Sequence, residues 1–148
     1  MVKTWQVDPG SCRLDLADLE KLFTPRSRLL AVHHVSNLLG TINPIRDIAA
    51  LAHQHNVMVC VDGVAYAPHR RVDVKAFEVD FYAFSFYKVY GPHLAVLYGR
   101  QELLESLEGI NFEFIQAGAY KFQPGNLNFE LTYSTLIHGL KPSKATPS

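Results

Sequence analysis

The sequence predicts an α/β fold: a mostly parallel sheet with one antiparallel strand and flanking helices. Three observations carry that expectation. Two short apolar runs, Val57-Met58-Val59-Cys60-Val61 and Phe81-Tyr82-Ala83-Phe84, read as buried strands, the first with the continuous pattern of a strand covered on both faces. Segments of helical periodicity precede and separate the apolar runs, so helix and strand alternate. A further run, Leu94 to Tyr98, follows Phe84 through a turn too short for a parallel crossover and is expected to run antiparallel to it.

Taken in order, Leu16, Leu19, Leu22 and Phe23 recur at helical spacing behind Asp15, a good N-cap, and Pro25 ends that helix. Arg28 to Val35 reads as a strand that delivers Ser36 and Asn37 to the sheet edge, followed by a Gly40-Thr41 loop. Pro44 sits at a helix start with Asn43 as its cap, and Ile45, Ile48, Ala49, Leu51 and Ala52 form one apolar stripe. With Val57 to Val61 this makes a β-α-β unit in which Asn37 and Asp62 end neighbouring strands. Val72 to Phe77 supplies one or two helical turns as the next crossover. Gln101 to Leu107 reads as a helix, Glu108 to Gly125 as a poorly periodic loop, and Asn128 to Gly139 as a final helix stopped by Pro142. Lys141 to Ser148, rich in Pro, Ser and Thr, reads as a frayed tail.

Composition excludes several classes. A chain of 148 residues, 48% apolar, is one ordinary globular unit. Lys and Arg number 14 against 14 Asp and Glu, which gives no electrostatic case for nucleic acid or an anionic membrane; Arg70-Arg71 is too small a cluster to change that. No apolar run reaches the roughly 18 residues of a membrane span and no signal segment opens the chain, so the expected location is cytoplasmic. Two cysteines agree with a reducing compartment: Cys60 reads as a small buried hydrophobe and Cys12 as a surface thiol in a turn. His53 and His55 point to different faces of a helix, as His33 and His34 do on a strand, which argues against a metal centre. The glycine-rich loops of dinucleotide and nucleotide sites are absent from the sequence.

Ligands of open α/β sheets collect beyond the carboxyl ends of the strands, where Asp62, Ser85 and Lys88 are expected to converge. Singly each has a bland reading: an Asp before Gly forms turns and caps, and a Lys among aromatics lays its stem over apolar surface. Jointly, an acid, a hydroxyl and an amine suit pyridoxal 5'-phosphate. Lys88 forms a Schiff base with the aldehyde, Asp62 keeps the pyridine nitrogen protonated, and Ser85 donates to the phosphate. Phe84, Phe86, Tyr87 and Tyr90 surround Lys88 in sequence and are expected to desolvate its amine. Lys21, Lys75 and Lys121 lie in polar surroundings.

The pattern resembles a known family, the class V aminotransferases of the fold-type I pyridoxal-phosphate enzymes, in its cysteine desulfurase-like branch. The resemblance rests on V-S-N-L-L-G-T-I-N-P-I (Val35 to Ile45), L-A-H-Q-H-N-V-M-V-C-V-D-G (Leu51 to Gly63), A-P-H-R-R-V-D-V (Ala67 to Val74) and V-D-F-Y-A-F-S-F-Y-K-V-Y-G-P (Val79 to Pro92), with a weaker match in K-F-Q-P-G-N (Lys121 to Asn126). It implies Lys88 as the catalytic and cofactor-anchoring lysine, Asp62 for the ring nitrogen, Ser85 for the phosphate, and Asn37 for the ring hydroxyl or substrate. This chain departs from the usual pattern at Ala65, where desulfurases of this kind carry Gln or His, and at Tyr87, where many carry His. Tyr66 is then a candidate substitute for the missing ring neighbour, and His93 is a further neighbour with a loop-structural role.

The resemblance also implies part of a large cofactor domain, its C-terminal half at residues 1–140 with a flexible tail at 141–148, and a homodimer acting on an amino acid such as cysteine. On that reading the phosphate loop, the group over the ring and the substrate-carboxylate arginine are supplied elsewhere, and the chain is incomplete and inactive alone. The alternatives are a non-catalytic protein of this fold serving as a binding or interaction module, or a related aminotransferase or epimerase.

Overall fold

The computed structural model describes residues 1–109, 121–122 and 125–139. The elements run α1 (Leu16–Leu22), β1 (Leu29–His33), α2 (Ile45–Gln54), β2 (Met58–Asp62), α3 (Val74–Phe77), β3 (Phe81–Ser85), a 3-10 turn (Phe86–Val89), β4 (Ala95–Gly99), α4 (Gln101–Ser106) and α5 (Phe129–Gly139). The sheet order is β1-β2-β3-β4, with β1, β2 and β3 parallel and β4 antiparallel to β3. The expected α/β architecture, including its one antiparallel strand, is therefore present. The expected loop over Glu108 to Gly125 falls mostly, and the tail from Lys141 entirely, outside the described residues.

Local chemistry accounts for the helices. Asp15 has extended backbone and its Oδ1 accepts from the Ala17 amide at 2.8 Å, so α1 begins with a side-chain cap, a feature worth about 1 kcal/mol. Leu19 is its buried residue, and α1 packs on α2. In α2 the expected stripe is buried at Ile45, Ile48, Ala49 and Ala52, while Leu51 is half-buried. Asn43 does not cap this helix. The cap position is Pro44, which offers no side-chain bond. The Asn43 amide N–H donates to the His34 carbonyl at 2.8 Å and its Nδ2 donates to the His33 carbonyl at 2.8 Å, so the end of β1 holds both groups.

Register divides the sheet into two unlike faces. Val32 pairs with Val61, which pairs with Tyr82, and all three are buried. Val59 and Val61 are wholly shielded, each contributing about 1.5–3 kcal/mol by burial. The other face carries Leu29 at 55% exposure, Ala31, half-buried Cys60 and Leu97 at 62%. The expectation that β2 is buried on both faces is thus corrected: α2 packs against β2 over Val59 and Val61, and among the described residues nothing equivalent covers the opposite face.

A buried carboxylate that sequence reading passed over joins three elements. Asp80 Oδ2 accepts from the Val59 amide at 2.7 Å and contacts His53 Nε2 at 2.8 Å, while Oδ1 takes Arg100 Nη1 at 3.4 Å. Its own amide donates to the Val59 carbonyl at 3.2 Å, and its carbonyl accepts from the Arg100 amide at 2.9 Å. Lys121, expected in polar surroundings, is instead buried. Its Nζ donates to the carbonyls of Leu107 at 2.6 Å and Glu105 at 3.1 Å and lies over the Phe122 ring.

Asp80→Ala leaves the Val59 amide buried without its acceptor and removes the partner of His53 and Arg100. A loss of about 3 kcal/mol in denaturant unfolding is expected. Asp80→Asn, which keeps one acceptor oxygen, is expected to lose distinctly less; equal losses would show that the Val59 bond contributes little.

Candidate functional site

The backbone at the carboxyl end of β2 is held from both sides. The His34 amide donates to the Asp62 carbonyl at 2.8 Å, and the Gly63 amide donates to the Ala83 carbonyl at 2.8 Å. Asp62 Oδ1 accepts from the Val64 amide at 2.9 Å, an Asx turn that leads the chain away from the sheet. The other carboxylate oxygen has no partner among the described residues, and the side chain is exposed. Glycine is required next: a Cβ at residue 63 would collide with the ring and hydroxyl of Tyr82.

At the end of β3 the chain turns sharply. Ser85 pairs with Ala95 and precedes the 3-10 turn with its hydroxyl uncommitted to a cap bond. The Phe86 amide donates to Leu94 and the Gly91 amide to Phe86, each at 2.8 Å, while Tyr90 adopts the left-handed conformation at φ 65°. A side chain at Gly91 would press on Phe86, with Cβ 2.9 Å from the Phe86 Cβ and 3.0 Å from its carbonyl oxygen. This tight return presents Lys88, which is exposed and forms no hydrogen bond or ion pair among the described residues.

The expected desolvation of Lys88 by its aromatic neighbours is not met. Phe84 and Phe86 pair with each other, their ring centroids 5.3 Å apart. Tyr87 stacks on His93 with centroids 5.4 Å apart, and Tyr90 is 92% exposed. Each ring is committed to the turn itself or to solvent.

One cleft of about 330 Å³ brings together Asn37, Asp62, Ala65 and Lys88. His33, Val35, Ser36 and Val64 also line it; sequence reading brought Ser36 to this edge but gave no site role to His33 or Val64. His33 was findable: it is the register partner of Asp62, so the two residues leave the same face. Ser85, Tyr66, Tyr87 and His93 do not line this cleft. An adjoining cleft of about 560 Å³ shares Ser36, Asn37 and Ala65 and adds Tyr66, His69 and Arg70.

Tyr66 belongs to an aromatic group beneath the site. Its ring stacks on His34 at 3.6 Å and 7°, Phe77 meets both edge-on, and His34 Nδ1 shares a hydrogen bond of 2.9 Å with the Tyr82 hydroxyl. Burial lowers the His34 pKa from 6.5 to about 4. Burial, then Tyr66, then the Asp62 carboxylate push the Tyr82 phenol up, so the pair is neutral at physiological pH. On the opposite face burial, then Asp62, raise the Cys60 thiol, which keeps it in the unreactive form.

With this geometry in hand, comparison with known proteins is specific. The profile of the family Aminotransferase class-V matches residues 2–133. A nonribosomal peptide synthetase-like enzyme, fsqF, of Aspergillus fumigatus is 51% identical over 117 residues, covering 77% of this chain and 8% of that protein. A cysteine desulfurase-like protein, ustD, of Aspergillus flavus is 45% identical over 127 residues, covering 83% of this chain and 29% of the relative. Among solved structures, the cysteine desulfurase CsdA of Escherichia coli superposes with a TM-score of 0.71 at 35% identity, covering 78% of this chain and 32% of that one. The chain thus spans about a third or less of the length of these relatives.

The neutral His34 gives stability a pH dependence of known sign. The unfolded chain takes up a proton as pH falls below about 6.5, whereas the folded chain resists until about 4. Stability is therefore full above pH 6.5 and is expected to fall progressively toward pH 4. Unfolding curves across that window check this, and His34→Phe should remove that part of the slope.

Proposed function

The chain belongs to the class V aminotransferase family, and from that premise we propose that it anchors pyridoxal 5'-phosphate in a cysteine desulfurase-like enzyme acting on an amino acid. The single observation that carries the reading is the shared cleft of Asn37, Asp62 and Lys88, with the lysine amine unpartnered among the described residues. Three of the four donors, Asn37, Asp62 and Lys88, line one cleft and fit the group, while Ser85 lies at the end of the neighbouring strand. Bound pyridoxal phosphate supplies an aldehyde that engages amines and a ring that withdraws electrons from the adjacent carbon.

Lys88 holds the group through its Nζ, which the 3-10 turn and the tight Gly91 return present at the cleft. Asp62 offers the oxygen that Val64 does not use to the ring nitrogen, keeping a proton there by a charge-assisted bond. Ser85, whose hydroxyl is not spent on a cap, donates to the phosphate from the strand end. Asn37 offers its amide to the ring hydroxyl or to the substrate. Residues 1–140 form part of the large domain in this reading, the functional unit is a homodimer, and cysteine is the first substrate to test. A cytoplasmic location agrees with two free cysteines, and no helix among the described residues is long and apolar enough to cross a membrane.

A second reading, a binding module without turnover, is favoured by the exposure of Lys88 and Asp62. Among the described residues nothing dries the amine or orients a substrate, and orientation is a large part of catalysis.

Added pyridoxal phosphate should give a visible absorption band that borohydride removes, with the label fixed on Lys88. Equal labelling of Lys21 or Lys75 would refute the assignment. Turnover of cysteine by the loaded protein separates the two readings: a persistent band without turnover selects the binding module.

In a turning-over protein Asp62→Asn is expected to retain the band and to slow the reaction on the order of 10- to 100-fold, the worth of one charged hydrogen bond. An unchanged rate would remove Asp62 from the ring nitrogen.

A further inference from the structure

Adjacent histidines at the end of β1 have opposite fates. His34 is spent: its amide holds the Asp62 carbonyl, and its ring is locked between Tyr66 and Tyr82. His33 is half-buried on the other face. Its carbonyl is fixed by the Asn43 side chain at 2.8 Å, so its backbone is as firmly held as that of His34. Its ring, however, has no hydrogen-bond partner among the described residues and lines the cleft with Asp62 and Lys88.

Register makes Asp62 its natural partner. The two residues are paired on neighbouring parallel strands, so their side chains leave the same face about 5 Å apart at the backbone. Val64 fills one carboxylate oxygen of Asp62 and leaves the other open. The two side chains are not hydrogen-bonded in this structure, and a rotamer change of the imidazole is the movement that would bring them together.

We infer that His33 is a positioning residue for Asp62: a ring N–H would donate to the carboxylate and fix its rotation, so that the carboxylate is held ready for the cofactor's ring nitrogen. Asp62 would keep the Val64 amide on Oδ1 and take the His33 N–H on its other oxygen, which would still have a lone pair for the ring nitrogen. The inference rests on the pyridoxal-phosphate reading of the cleft. It adds to that reading a residue that neither the strand-end argument nor the similarity to relatives picks out.

The test uses the full chain loaded with pyridoxal 5'-phosphate carrying nitrogen-15 in its ring. With His33 present, the ring-nitrogen resonance is expected at the position of a protonated, carboxylate-paired nitrogen. His33→Ala should keep the visible band, because Lys88 is untouched, and should move the resonance toward the unprotonated position, in the same direction as Asp62→Asn. His33→Asn, which retains an N–H donor near the position of Nδ1, should recover at least half of that movement. If turnover is measured, kcat should fall about 2- to 10-fold with KM unchanged, less than for Asp62→Asn because His33 acts on the reaction only through the orientation of Asp62.

An unmoved resonance in His33→Ala overturns the positioning role. Should that variant fold poorly, the imidazole nitrogen signals of His33 in the unmutated protein decide: they must shift on cofactor uptake, and unmoved signals overturn the role as well. Failure of the unmutated protein to take up the cofactor at all overturns the parent reading and this one with it. Uptake with unmoved signals removes the role of His33 alone.

Discussion

The register between β2 and β3 is the constraint on which the site depends, and Asp80 holds it from the far end of the sheet. One residue takes both backbone polar groups of Val59, the amide through its carboxylate and the carbonyl through its own N–H. The ladder then continues with Cys60 opposite Phe81 and Asp62 opposite Ala83. Because side chains alternate with a period of two, a slip of one residue would turn Asp62 away from the cleft and bury it where Val61 now lies. Arg100 adds the end of β4 to the same clamp, and β4 sets the return path that presents Lys88.

Like residues divide here into spent and unspent members, and the division separates structural from chemical roles. Asp80 is buried with both oxygens occupied, whereas Asp62 is exposed with one oxygen open. His34 is locked into an aromatic stack; His33 faces a cleft. The Lys121 ammonium is satisfied by two carbonyls, while Lys88 has no partner among the described residues. Burying an ionisable group without full hydrogen bonding is costly, so the committed member of each pair carries its partners with it. The uncommitted members gather at one end of the sheet.

Much of the fold was legible because it follows from periodicity. Leu19, Ile45, Ile48, Ala49 and Ala52 are buried where helical spacing put them, and the short turn after Phe84 required the antiparallel strand that is found. Strand-end logic likewise brought Asn37, Asp62 and Lys88 to one cleft, but not Ser85, which it also expected there. What escaped was decided by contacts distant in sequence. Asn43 looked like a cap because Pro44 follows it, but the end of β1 captured its side chain. The aromatics around Lys88 suggested a dry pocket, yet each ring found a partner or solvent elsewhere. Asp80 was passed over because an acid at the start of an apolar run gives no local sign that a buried amide awaits it. His33 and His34 were weighed only as metal ligands, although the same alternation places one of them beside Asp62.

The collision awaiting any side chain at residue 63 ties the history of that position to Tyr82. Tyr82→Phe would clear the hydroxyl but leave the ring atoms that obstruct, so only a residue much smaller than an aromatic would open the space. The two positions therefore cannot drift independently. Exchange of Gly63 for a larger residue would require a shorter residue 82, which would surrender the hydrogen bond to His34. Residue 82 thus limits the Asp-Gly turn to glycine, constraining the acid's neighbour without touching the acid itself.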